Sequence, residues 1–136
     1  QRLSSEGMKI AAILFDMIFY IGSCDEKASL ILNRLDAIAI ILKTTRVFLN
    51  DSTLCGNACR CLRLLASTSQ DSTNLDCTEI SRLVSDVLRI HHNDSETALA
   101  SVMALASLVE IDAEVINIFD PLLFNIFGTI IDVSFY

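Results

Sequence analysis

Apolar residues recur at three- and four-residue steps along most of the chain, the spacing that lays them on one face of an α-helix. The clearest run lies in residues 78–91, where Ile80, Leu83, Val84, Val87 and Leu88 occupy positions i, i+3, i+4, i+7 and i+8. The same reading predicts a first helix over residues 7–21 that ends at Gly22-Ser23, with Gly22 in a left-handed cap, and a turn over residues 23–26. A long helical stretch follows to about residue 50 through Leu30, Ile31, Ile38, Ile41, Leu42, Phe48 and Leu49, and Thr44-Thr45 is expected to kink or break it. Asp51 and Ser52 supply capping oxygens for a helix through Leu54, Ala58, Cys61, Leu62 and Leu65 that ends near Ser67. Residues 67–76 read as a polar loop. Asp94-Ser95 caps a helix over residues 96–109 that aligns Leu99, Val102, Leu105 and Leu108. Asp120-Pro121, a cap followed by proline at the first helical position, opens the last helix, which carries Leu122, Leu123, Ile126, Phe127, Ile130 and Ile131. Residues 113–119 show no decisive period.

The pattern repeats. Asn50-Asp51-Ser52 and Asn93-Asp94-Ser95 lie 43 residues apart, and the helices after them pair Cys61 with Ala104, Leu62 with Leu105 and Leu65 with Leu108 at that offset. Ile80, Leu83, Val84, Val87 and Leu88 map one period on to Leu123, Ile126, Phe127, Ile130 and Ile131. The copy before is weaker, since Thr44 and Thr45 fall where Val87 and Leu88 stand. A period of 43 residues with two main helices per unit is the sequence signature of an α-solenoid. The predicted fold is all-α, stacked helical hairpins in a single domain over residues 1–136.

Leu83-Val84-Ser85-Asp86-Val87-Leu88-Arg89, the polar turn His91-His92-Asn93-Asp94-Ser95, and Ser101-Val102-Met103-Ala104-Leu105-Ala106-Ser107-Leu108 together resemble one armadillo unit. Ala58-Cys59-Arg60-Cys61-Leu62-Arg63-Leu64-Leu65-Ala66-Ser67 resembles the last helix of the unit before. The chain is thus similar to the armadillo and HEAT repeat families, with armadillo the closer. The resemblance implies a right-handed α-solenoid whose inner face, lined by the last helix of each unit, holds an extended peptide or a helix of another protein. Nuclear-import receptors of this kind place Trp and Asn four residues apart there. The corresponding pairs in this chain are Arg60 with Leu64 and Met103 with Ser107, so that clamping ladder is missing and general protein binding is what remains. Asn57, Arg60, Arg63, Leu64, Met103 and Ser107 are the candidate partner-binding residues. Arginine suits the role because its planar fork pairs carboxylates through two hydrogen bonds.

Composition narrows the classes. With 136 residues, 52% hydrophobic content, four Gly, one Pro and no Trp, the chain is one domain's worth with few of the breakers an all-β fold needs. A mean hydropathy of +0.51 implies apolar surface covered by chain outside this segment or by self-association. The non-Met residue Gln1 and the apolar run to Tyr136 point to a fragment of a larger protein. Residues 1–68 hold eight Lys/Arg against six Asp/Glu, and residues 69–136 two against eleven. Such an acidic half repels phosphate backbones, which argues against nucleic acid, and favours a basic partner or solvation alone. Five cysteines without a cleavable signal sequence are expected as free thiols inside the cell, in cytoplasm or nucleus, and the two Asn-Asp-Ser segments as caps rather than glycan acceptors.

Candidate chemistry is sparse. Cys55, Cys59 and Cys61 share a helix, yet Cys59 and Cys61 diverge by about 200° around it, so three thiolates do not converge on one metal and core thiols are expected. His91-His92 reads as a polar helix end rather than a ligand pair or general base. Neither a phosphate loop nor a nucleophile elbow is present. Asp16 either points outward or is buried with a partner. Asp16, Arg34 with Asp36, and Asp132 interrupt the most apolar runs, so no membrane span is expected where about 20 apolar residues are needed. The expected function is a non-catalytic protein-interaction scaffold without cofactor or metal. The alternative is a helical bundle with a structural role that self-associates through residues 122–135.

Overall fold

The structure, a computed structural model, describes residues 2–68 and 75–135, so most of the predicted loop at 67–76 lies outside the described residues. Within them every regular element is helical. In chain order they are α1 (Arg2–Cys24), α2 (Glu26–Arg34), α3 (Ala37–Val47), α4 (Ser52–Thr68), α5 (Cys77–His91), α6 (Ser95–Ile111), a 3-10 helix (Ala113–Ile118) and α7 (Pro121–Phe135).

Aspartates start most of these elements. The side chain of Asp25 accepts from the amide of Lys27, Asp51 from Leu54, Asp76 from Glu79, Asp94 from Glu96 and Thr97, Asp112 from Glu114, and Asp120 from Leu123. Each bond satisfies an amide that has no intrahelical acceptor, and each carboxylate faces the positive end of a helix dipole. The expected caps at Asp51, Asp94 and Asp120 are therefore present.

Two details of the sequence reading are corrected, and one that it left open is settled. The break in the long stretch falls at Leu35-Asp36 and not at Thr44-Thr45. Asp36 takes a left-handed conformation with φ of 57°, which aspartate tolerates better than most residues. Thr45 stays helical and fully buried, because its hydroxyl donates to the Ile41 carbonyl at 2.6 Å. Gly22 is not a left-handed cap: α1 runs on through it to Cys24, and no glycine has positive φ. A side chain there would meet Leu64 Cδ2 at 2.6 Å and Ser29 Oγ at 2.9 Å, so glycine is present for close approach. The undecided segment after α6 is a 3-10 helix whose Val115 is fully buried.

α4 lies between α1 and α6, and all three run in the same direction. Against α1, Asn57 meets Ala12, Cys61 meets Phe15 and Leu64 meets Gly22. Against α6, Ser52 meets Asp94 and Thr97, Cys59 meets Ser101, and Arg63 meets Ser107. α3 and α5 pack beside this layer and touch each other, and α7 packs on α5. The core gathers Leu54, Leu62, Leu65, Leu83, Leu88 and Leu108, each essentially inaccessible to solvent, with Val115 and Leu123 continuing it to the C-terminal end. At about 25 cal/mol per Å² of apolar surface removed from water, each such leucine is worth about 2 kcal/mol.

Two outcomes test this packing. Gly22→Ala and Gly128→Ala gain the same helix propensity, but a side chain at Gly128 meets nothing within 4 Å. In chemical denaturation the Gly22 variant is expected to be the less stable of the two by about 1–3 kcal/mol, the cost of overpacking. The second concerns the α4–α6 junction. The Ser52 hydroxyl, followed by the Thr97 and Glu96 amides, holds the Asp94 carboxyl below its ordinary value of 3.8. A depressed folded value contributes stability above the unfolded value and loses it as pH falls through the folded one, so denaturation midpoints are expected to drop less for Asp94→Asn than for wild type between about pH 5 and about pH 2.

Candidate functional site

Small residues cover most of α4: Cys55, Gly56, Ala58, Cys59, Cys61 and Ala66 are buried against its neighbours. One edge is left partly open, and it carries Asn57, Arg60, Arg63 and Leu64, all half-buried. Asn57 is bound in both directions. Its Nδ2 donates to the Ala12 carbonyl at 2.9 Å, and its Oδ1 accepts from Arg60 Nη1 at 2.8 Å. Arg63 Nε donates to Ser107 Oγ at 3.3 Å across to α6. Met103, one turn before Ser107, is 38% exposed. The structure thus joins Asn57 to Arg60 and Arg63 to Ser107, with Met103 beside that second pair. It directs Leu64 toward Gly22 of α1, away from α6.

Neither Arg60 nor Arg63 pairs with a carboxylate among the described residues. The ion pairs there join Arg46 to Asp86, and Arg89 to Asp86 and Asp120. Two guanidinium groups are therefore held in place by neutral acceptors, with further N–H donors free to bond. The acids of the C-terminal half behave differently. Asp76, Asp94, Asp112 and Asp120 cap elements, Glu79, Glu96 and Glu114 lie in first turns, and Asp86 is paired. Much of the negative charge there is spent on helix starts.

The three thiols of α4 point to three different neighbours, as their angular spread requires. Cys55 Sγ donates to the Leu49 carbonyl at 3.3 Å, Cys59 Sγ lies 3.7 Å from Ser101 Oγ, and Cys61 Sγ donates to the Phe15 carbonyl at 2.8 Å. Burial pushes each of them up to about 12, so they stay protonated and unreactive near neutrality. Burial also raises Cys77, while Cys24 is exposed. No group of three or more potential metal ligands occurs among the described residues. His92 Nδ1 meets the Arg89 carbonyl at 3.0 Å at the end of α5, whereas His91 Nε2 reaches the Leu49 carbonyl at 2.8 Å in the turn between α3 and α4. Asp16 is exposed.

Sequence reasoning missed two surfaces. α6, the 3-10 helix and α7 enclose an apolar cleft of about 510 Å³ around Phe119, Phe124 and Phe127, whose rings pack edge to face with centroids 5.7 to 6.1 Å apart. The second is a chain of ion pairs from Arg46 through Asp86 and Arg89 to Asp120. Its signal was available, since Arg46 and Arg89 are separated by the 43-residue period itself. On α1, the stretch Ser5–Cys24 is long and apolar enough to cross a membrane by length and composition, and it exposes Ile13 and Tyr20 among others. Comparisons with protein-family models, with curated proteins and with solved structures found no match.

Thiol accessibility checks the site chemistry. Under native conditions a maleimide reagent is expected to modify Cys24 alone, with Cys55, Cys59, Cys61 and Cys77 reacting only after denaturation, as read by peptide mass spectrometry. Native labelling of Cys59 or Cys61 would contradict the packing of α4.

Proposed function

We propose that this chain is a non-catalytic protein-binding scaffold, an armadillo/HEAT-like right-handed stack of helical hairpins whose α4–α6 surface receives a helix or extended segment of a partner inside the cell. The observation that carries the reading is the pair Arg60 and Arg63, half-buried, anchored by Asn57 and Ser107, and without a carboxylate partner among the described residues. Guanidinium groups fixed by neutral acceptors lose little rotational freedom on binding and match a carboxylate with two parallel bonds. An acidic side chain on the incoming segment is therefore favoured over a basic one. Met103 and Leu99, the latter 60% exposed, supply apolar area on the adjacent α6. The parallel order of α1, α4 and α6, with equivalent contacts roughly one 43-residue period apart, supports the stacked arrangement.

A second reading, self-association with a structural role, is favoured by the apolar ends. α1 exposes Ile10, Ile13, Leu14 and Met17, and the cleft at the other end exposes Ile116, Phe124 and Ile131. Because α1 covers one flank of α4 and α6 the other, a second copy added head to tail would bring α1 of one copy to the apolar cleft that borders α6 in the other.

The double charge reversal Arg60→Glu/Arg63→Glu decides between these readings. It is expected to weaken retention of the partner at least about tenfold in quantitative pull-down, the scale of a hot-spot loss, with helix content and melting unchanged. Unaltered retention sinks the α4–α6 assignment. A stable homodimer by light scattering, with no heterologous partner retained, supports the second reading instead.

A further inference from the structure

Arg82 and Arg89 are the only two Lys/Arg residues after position 68 in a chain of net charge -7. The structure brings both of them, together with Arg46 of α3, to the rim of one polar cleft. That cleft holds about 370 Å³ and is lined by Arg46, Arg82, Ser85, Asp86, Arg89 and Asn117. None of these residues belongs to α4 or α6, so the cleft is separate from the partner surface proposed above.

The inventory of donors is unbalanced. Asp86 is the one carboxylate in the lining, and both of its oxygens are taken, by Arg46 and by Arg89. Arg89 also reaches Asp120 at 3.0 Å. Each of these two guanidiniums retains N–H groups beyond those bonds, Arg82 is exposed and has no ion pair among the described residues, and Asn117 adds an amide. Ser85 is decisive. It is 99% inaccessible, lines the cleft, and its hydroxyl has no hydrogen-bond partner among the described residues. A buried hydroxyl without a partner costs free energy, and an acceptor inside the cleft would satisfy it.

We infer that the cleft between α3, α5 and the 3-10 helix binds a tetrahedral oxyanion, a phosphate group, with Arg82 as the principal free cation, Arg46 and Arg89 as flanking donors and Ser85 as the hydroxyl donor at its wall. A phosphate offers several acceptor oxygens spread around one centre, which suits donors arriving from three elements. A single carboxylate offers two oxygens in one plane and leaves some of these donors unmatched. Asp86 does not forbid the anion, because two arginines already neutralise it. The group can arrive as free phosphate or on a phosphorylated side chain.

Titration of the full chain with inorganic phosphate at constant ionic strength, followed by thermal shift and calorimetry, tests the site, with acetate and chloride as controls. Saturable stabilisation by phosphate and none by chloride or acetate is expected. Arg82→Gln is expected to weaken phosphate binding at least tenfold and Ser85→Ala severalfold; without the anion the Arg82 variant melts as wild type does, and the Ser85 variant at or above the wild-type temperature, since it loses a buried hydroxyl that has no partner. Tighter binding of O-phosphoserine than of inorganic phosphate assigns the anion to a modified side chain, and equal affinities assign it to the free ion. Absence of saturation with either ligand, or equal affinity in wild type and the Arg82 variant, overturns the proposal.

Discussion

The confinement of α4 between two parallel helices is the constraint on which the rest depends. A helix covered on both flanks needs small side chains where backbones approach: α4 sets Gly56 against Thr97 and Cys59 against Ser101 of α6 and Cys61 against Phe15 of α1, and where α4 presents the larger Leu64, α1 answers with Gly22. Cysteine suits such positions because it is nearly as small as alanine, apolar, and able to donate weakly to a carbonyl or hydroxyl. The thiols that look like a ligand cluster in the sequence are the packing solution for this helix. What α4 offers outward is consequently restricted to the edge carrying Asn57, Arg60 and Arg63, and the candidate partner surface is a by-product of how the rest of the helix is buried.

The same confinement explains what could be read from the sequence. Caps at Asp51, Asp94 and Asp120 were legible because an aspartate and the amides two or three residues on settle the matter locally. The face made by Ile80, Leu83, Val84, Val87 and Leu88 was legible because α5 buries a single continuous stripe. Gly22 was misread as a terminator, since its role depends on Leu64, which is 42 residues away. The break at Asp36 was missed because neither glycine nor proline marks it, and Thr45 suggested a break that its bond to Ile41 removes. For the candidate site, the Asn57–Arg60 pair is a three-residue spacing on one helix and could be expected. The Arg63–Ser107 bond could be anticipated only through the repeat, and the turning of Leu64 away from α6 not at all.

Charge follows a similar division. Counted along the sequence, the second half of the chain is an acidic block and invites a basic partner. Placed in the fold, Asp76, Asp94, Asp112 and Asp120 sit where amides lack acceptors, and the two cations of that half, Arg82 and Arg89, stand together on α5. Net charge per segment is thus a poor guide to surface chemistry when helix starts consume the carboxylates. Three arginines without a carboxylate partner among the described residues stand out locally: Arg60 and Arg63 on α4, and Arg82 on α5.

The ion-pair chain from Arg46 to Asp120 contributes little to stability. Its side chains are between 26% and 48% exposed, and exposed pairs are each worth about 0–1 kcal/mol. Its effect is positional. Asp120 caps α7 through Oδ1 while its Oδ2 holds Arg89, and Asp86 grips Arg46 and Arg89 with one oxygen each. The chain thereby fixes the guanidinium planes of two elements relative to a third, a preorganised array of donors beside a buried, unpartnered hydroxyl. Arginines gathered from two elements beside a buried hydroxyl without a partner, in a chain carrying more acid than base, are the physical reason for proposing an anion in this cleft.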